Sequence, residues 1–123
     1  MFVVEGEVIG GNRLGRQLGF PTANIAIAED LAVENGVYSS MVYVEGKGYP
    51  AMTNVGVRPS VDGKRRLLET HLFGYEGDLY GLTLRVELLE KIRDEKKFAS
   101  VEELKGQIEC DKQAVLLRIN CCK

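Results

Sequence analysis

The sequence predicts an all-β fold: an antiparallel barrel or sandwich carrying one C-terminal helix. Three observations point there. Short runs rich in Val, Leu, Tyr and Thr recur from Phe2 to about Leu89, separated by Gly-bearing turns. No helical pattern comes between them, so the strands follow one another as in an antiparallel sheet rather than a parallel one. The period changes only near Ser100.

The expected strands are Val3–Ile9, Val37–Val44, Tyr49–Val55, Leu67–Phe73 and Leu82–Leu89. The second and third are joined by Glu45-Gly46-Lys47-Gly48, which is hairpin turn chemistry. Asp62-Gly63 is a further turn signal, and the basic run Lys64-Arg65-Arg66 behind it reads as a solvated hairpin loop. Ser100-Val101-Glu102-Glu103 is a capping box: the serine hydroxyl accepts from the third-position amide, and Glu103 reaches back to the cap's own N–H. Apolar residues then recur at Val101, Leu104, Ile108, Val115 and Ile119, one face of a helix, interrupted at Asp111. The reading is one domain over 1–123, with a β-body at about 2–92 and a helix at about 100–119, frayed at its end.

At 123 residues and 45% hydrophobic content the chain has room for one core without disulfide or metal staples. Sixteen basic against eighteen acidic residues give a net charge of -2, without the basic excess of a nucleic-acid binder. No run approaches the ~18 apolar residues of a membrane span. Glu5 follows Met1-Phe2-Val3-Val4 directly, so the start does not read as a signal peptide. A cytoplasmic protein that binds neither nucleic acid nor membrane is expected. The three cysteines, Cys110, Cys121 and Cys122, are too few and too clustered for a disulfide framework. With one histidine, His71, far away in sequence, they do not make a zinc site either.

The connection from Gly10 to Gly36 is about 27 residues long, and a loop of that length in a compact domain is usually functional. Gly10-Gly11, Gly15 and Gly19 let backbone N–H groups approach an anion, although neither the Walker nor the dinucleotide fingerprint fits. In Pro21-Thr22-Ala23-Asn24, the threonine and asparagine each offer a neutral oxygen at the two-residue spacing that shares a strand face. Such a pair suits Mg²⁺ when phosphates supply other ligands. Such residues often bond local backbone in turns instead, and on spacing alone that plainer reading prevails.

The series as a whole resembles the riboflavin kinase (flavokinase) family, in particular the kinase module of bacterial bifunctional FAD synthetases. The matching pieces run in order along the chain: Gly6-Glu7-Val8 with Gly10-Gly11, Gly15-Arg16-Gln17-Leu18-Gly19-Phe20-Pro21-Thr22-Ala23-Asn24, and Gly36-Val37-Tyr38. Asn54-Val55-Gly56-Val57-Arg58-Pro59, Leu68-Glu69-Thr70-His71, Asp78-Leu79-Tyr80-Gly81, Ile92-Arg93, Lys97-Phe98 and Asp111 follow. Ser60 stands where the family commonly has threonine.

The resemblance implies a closed six-stranded antiparallel Greek-key barrel with a C-terminal helix, so one more strand than the texture shows, drawn from the long connection or from near Ile25–Ile27. It implies metal-dependent transfer of the γ-phosphate of ATP to the 5′-hydroxyl of riboflavin, giving FMN and ADP, with Mg²⁺ or another divalent cation. Thr22 and Asn24 would then contact the metal and the phosphates, and Glu69 would be the catalytic base. Gly10, Gly11, Gly15, Arg16, Gly19, Pro21 and Asn54 would join them in nucleotide binding. Arg93, Lys97 and Phe98 would form a second flap on the flavin side.

Read without the family, these residues have plainer uses. Glu69 is a strand glutamate at alternate spacing from Leu67, inside the barrel or at its rim, and His71 shares its face. Arg93 is a surface ion-pair partner for Asp94 or Glu95. Phe98 staples the helix start, and Tyr75 and Tyr80 are packing and turn residues. No part of the 123 residues resembles an adenylyltransferase domain; the chain fits a stand-alone monomeric kinase or part of a longer bifunctional chain. The rival function is a non-catalytic flavin- or nucleotide-binding module on the same barrel, which has no need of a base at Glu69; a structural interaction barrel leaves the long connection unexplained. The kinase reading requires Thr22, Asn24 and Glu69 to converge.

Overall fold

The computed structural model describes residues 2–9, 22–28, 30–60, 63–75, 77, 79–95 and 100–121. Six strands and one helix follow in order: β1 Phe2–Glu7, β2 Thr22–Ala26, β3 Gly36–Val44, β4 Lys47–Ser60, β5 Gly63–Leu72, β6 Thr83–Arg93 and α1 Val101–Cys121. The strands form one antiparallel sheet in the order β1-β6-β3-β4-β5-β2. The sheet curls until its edges meet: the amide of Ile9, just past β1, donates to the carbonyl of Asn24 in β2 at 2.9 Å. Gly6 lies so close to Ile25 that a Cβ there would sit 2.5 Å from the isoleucine Cγ2. The result is a nearly closed barrel.

Local chemistry accounts for the elements. The β3–β4 hairpin turns on Glu45 and Gly46, both with positive φ (50° and 87°), the conformation a two-residue turn needs to match the twist of its strands. The sixth strand, β2, is the Thr-Ala-Asn motif itself together with Ile25 and Ala26. In the helix, the Ser100 hydroxyl accepts from the Glu103 amide at 3.2 Å, as the capping box predicts. The helix continues to Cys121, beyond the expected end near 119.

The barrel interior is filled by Val4, Ile25, Val42, Val44, Val55, Leu68, Leu72, Leu84, Val86 and Leu88 with their neighbours. Polar groups are admitted there because they satisfy one another. Ser40, Thr53 and Thr70 are fully buried. Ser40 Oγ lies 2.7 Å from Thr53 Oγ1, which donates to Thr70 Oγ1 at 2.9 Å, a chain of hydroxyls crossing β3, β4 and β5. A second, smaller cluster lies on the outer face: Val37, Met52 and Phe73 pack against Ile108 and Val115 of α1.

Two expectations need correction. Lys64-Arg65-Arg66 is not a loop but the first part of β5, and Arg66 is buried. Its guanidinium donates to Asn35 Oδ1 at 3.1 Å, to the Leu31 carbonyl at 2.7 Å and to the Val33 carbonyl, tying down the connection between β2 and β3. The polar break in the helical stripe, Asp111, is not a flaw in the packing. It is 2% exposed and takes a two-pronged bond from Arg93 at the end of β6, Nε to Oδ1 at 3.0 Å and Nη2 to Oδ2 at 2.8 Å. Gln107, one turn earlier, donates to Oδ1 at 3.0 Å. An ion pair fastens helix to barrel where the sequence shows a gap. Among the described residues no helix is long and apolar enough to cross a membrane.

Candidate active site

Register decides which of the singled-out residues meet. On β2, Ala23 and Ile25 point into the core, so Asn24 faces outward. On β5 the inward residues are Leu68, Thr70 and Leu72, which puts Glu69 and His71 on the outer face. The alternation with Leu67 therefore marks the outside of the barrel, not its interior. On β4 the inward set is Ala51, Thr53 and Val55, leaving Met52 and Asn54 outside.

Asn24 is the direct cross-strand partner of Glu69, and Asn54 is its partner on the other side. Directly opposed residues of antiparallel strands share a face and bring their side chains within contact range. Asn24, Glu69 and Asn54 thus make a row across β2, β5 and β4. The same row continues through Val37 of β3, which opposes Asn54, to Arg93 of β6, which opposes Val37. Two register positions away, Thr22 opposes His71, which in turn opposes Met52. Positions 24 and 69 are thus directly paired in the backbone, with position 22 two residues along the same strand.

The carboxylate at the centre of the row is partly covered. The Glu69 side chain is 17% exposed, and its Oε1 lies 3.7 Å from His71 Nε2, itself 6% exposed. This is the only histidine of the chain, and it borders the carboxylate on the same strand face. Beyond Asn54 on β4, Gly56 leaves room for the Glu95 carboxylate, which occupies the space a Cβ would need. The segment leaving β6 therefore lies over the β4 face beside the row.

Asn54 itself is unusual. Among the described residues, its Oδ1 is a buried side-chain oxygen with no hydrogen-bond partner. Leaving such an atom unpaired costs about 1–3 kcal/mol, so a stable fold rarely tolerates it without reason. Sequence reasoning named Asn54 from resemblance but had no means of seeing this. It missed Arg66 and undervalued Asp111, because both are charged residues whose burial depends on distant partners.

Arg93 is placed at the far end of the row, engaged by Asp111 and donating to the Asp94 carbonyl at 3.0 Å. It is mostly covered rather than a freely exposed surface charge, and the Asp94 carboxylate pairs with Lys91 at 2.7 Å. Lys91 also binds Glu34 at 3.0 Å, and this double engagement raises the lysine pKa and holds the Asp94 carboxyl below its usual range. Tyr75 packs edge-on against Tyr49, ring centres 5.2 Å apart, and Tyr80 is an exposed turn residue. Gly10, Gly11, Gly15, Arg16, Gly19, Pro21, Lys97 and Phe98 lie outside the described residues.

The donor set suits a substrate-borne cation. Among the described residues no three His, Cys, Asp or Glu side chains gather as a metal site. What the β2 edge offers is neutral oxygen chemistry at Thr22 and Asn24, with one carboxylate opposite. Mg²⁺ takes few protein ligands where phosphates and waters provide the rest, so the residues fit such an ion and do not fit a closed structural site.

Known proteins resemble this chain in sequence and in fold. The Flavokinase family model, described as riboflavin kinase, matches residues 1–117. The bifunctional riboflavin kinase/FMN adenylyltransferase of Escherichia coli (strain K12) is 45% identical over 111 residues, covering 89% of this chain and 36% of that protein. The protein of the same description from Haemophilus influenzae is 45% identical over 107 residues, covering 86% and 35%. This chain thus spans little more than a third of the length of the curated relatives it matches. Among solved structures, riboflavin kinase from Trypanosoma brucei superposes with a TM-score of 0.66 at 26% identity, covering 96% of this chain and 79% of that one. A Streptococcus pneumoniae structure described as a macrolide-efflux protein superposes with a TM-score of 0.80 at 35% identity, covering 92% and 38%.

Proposed function

The chain belongs to the riboflavin kinase family, and from that premise we propose that it phosphorylates riboflavin, moving the γ-phosphoryl group of ATP to the 5′-hydroxyl and releasing FMN and ADP. The observation that carries the reading is the cross-strand pairing of Asn24 with Glu69. The pairing supports the reading because it puts a neutral amide oxygen and a carboxylate on directly opposed positions of adjacent strands, whose backbones lie about 4.8 Å apart.

The chemistry needs little more. A primary alcohol is too weak an acid for a carboxylate of ordinary pKa, ≈ 4.3, to deprotonate in advance. Glu69 instead orients the 5′-hydroxyl and takes its proton as the new P–O bond forms. That order suits a loose transition state, in which positioning and charge stabilisation outweigh nucleophile strength. His71, against the carboxylate, limits the orientations Glu69 can adopt. Thr22 and Asn24 are the residues that would hold Mg²⁺ together with the phosphates. When bound, that ion neutralises charge on the phosphoryl oxygens.

The remaining assignments follow the family. Gly10, Gly11, Gly15, Arg16, Gly19 and Pro21 would cover the phosphates, where glycine amides donate to anionic oxygens. Arg93, Lys97 and Phe98 would serve the flavin side, the end of the row at which Arg93 stands. A closed Greek-key barrel in a single domain, working in the cytoplasm where ATP is made available, completes the proposal. In the longer relatives the same module is joined to FMN adenylyltransferase activity.

Incubation with riboflavin, ATP and Mg²⁺, followed by chromatography, tests the reading. FMN should appear, and chelation of the metal should abolish it. Flavin binding without product under every divalent cation would leave only a binding module.

A further inference from the structure

We infer that Asn54 is the residue that reads the acceptor's sugar-alcohol chain: its side-chain amide bonds the hydroxyl next to the one that is phosphorylated. This deepens the kinase reading and rests on it.

The first ground is the unpartnered Oδ1 of Asn54, buried on the outer face of β4. Buried polar side chains elsewhere in the barrel have partners: Ser40, Thr53 and Thr70 are linked in a chain of hydroxyls, and Arg66 donates to Asn35 and two carbonyls. An oxygen left open in a structure so well paired is an acceptor waiting for a donor from outside the chain.

The second ground is direction. Asn24, Glu69 and Asn54 occupy three successive strands in one register. In-line transfer places the donor phosphoryl group on one side of the attacking oxygen and the body of the acceptor on the other. With Asn24 at the phosphate end and Glu69 on the attacking hydroxyl, the acceptor's carbon chain leaves over β4, across Asn54. This assigns Asn54 to the acceptor rather than to the nucleotide.

The third ground is chemical. A polyol carries a hydroxyl on the carbon beside the reacting one, and a hydroxyl both donates and accepts. It therefore satisfies the asparagine amide in either orientation, which a simple N–H donor does not. An acceptor without that neighbouring hydroxyl would leave the oxygen unpaired, so Asn54 selects for polyol alcohols over simple ones.

The test is a cycle between protein and substrate. Wild type and Asn54→Leu, close in volume, are each given riboflavin and its 4′-deoxy analogue. Asn54→Leu should lower kcat/KM for riboflavin about 10- to 100-fold, the loss expected when one buried hydrogen bond to substrate goes. The KM for ATP should not move. The deoxy analogue should suffer a similar loss in wild type and no further loss in the variant. Asn54→Leu should melt no lower than wild type, since it deletes an unpaired buried oxygen, and that separates lost recognition from lost folding. Losses that simply add, or a raised KM for ATP, overturn the inference. Riboflavin affinity by fluorescence quenching keeps the two readings apart. A wild type that binds riboflavin but makes no FMN sinks the kinase reading, while the same non-additive pattern in affinity still upholds Asn54.

Discussion

Asn24 of β2 and Glu69 of β5 are direct partners across one antiparallel ladder, facing out of the barrel. A neutral oxygen donor and an acid separated by 45 positions in the chain are thereby set side by side on rigid elements rather than on loops. Precision of this kind is what phosphoryl transfer asks of a protein, because catalysis there is chiefly positioning.

Glu69→Gln should keep nucleotide and flavin affinity while turnover falls by about 10²- to 10⁴-fold, the usual loss with a general base. Steady-state kinetics beside binding titrations check it. Unchanged turnover would remove Glu69 from the role.

Breaking the Arg93–Asp111 pair should be asymmetric. Asp111 is the deeper partner, 3% exposed against 22% for Arg93. Arg93→Met strands a buried carboxylate and should cost about 3 kcal/mol, whereas Asp111→Leu leaves an arginine that still reaches water and should cost about half that. The double apolar variant should recover much of the loss. Urea denaturation of the three variants measures it, and equal costs for the two single changes would refute the asymmetry.

Two glycines should respond differently to alanine. At Gly6 the new Cβ meets Ile25, fully buried at the seam between β1 and β2, and overpacking there should cost about 1–3 kcal/mol. At Gly56 it meets the movable carboxylate end of exposed Glu95, which swings aside at a cost below about 1 kcal/mol. Thermal melts of Gly6→Ala and Gly56→Ala should rank in that order.

Alkaline stability should carry the mark of Tyr38. Burial raises its pKa from 10.0; Glu34 adds to that effect, while Lys91 and Arg66 oppose it, and the phenol donates to the Glu34 carbonyl at 2.7 Å. The fold thus favours the neutral phenol. Its contribution is complete below the unfolded value of 10.0 and is lost as pH rises through the higher folded one. The stability gap between wild type and Tyr38→Phe should be flat near neutrality and shrink above pH 10.0, as read by denaturant titrations across that range. A gap independent of pH would contradict the burial effect.

The hairpin of β3 and β4 is legible in the sequence because alternation and turn residues are local signals. Strand β2 is not: five residues, two of them alanine, carry little strand preference, and the segment becomes a strand by pairing with β5. The phase of β5 is equally hidden. Thr70 is accommodated inside because Thr53, itself bonded to Ser40, donates to its hydroxyl there, so polarity alone misidentifies the inner face and puts Glu69 on the wrong side. Arg66 and Asp111 look like solvent-facing charges until carbonyls 31 and 33 and the Arg93 fork are brought to them. Local pattern reveals elements; burial of polar groups depends on contacts that only folding supplies.

The seam has a last implication. The strand bearing Thr22 and Asn24 is a sheet edge, laddered to β5 on one flank and, among the described residues, clasped to β1 by the single Ile9–Asn24 backbone bond. Local opening of the hoop should therefore begin at this seam rather than at a full ladder.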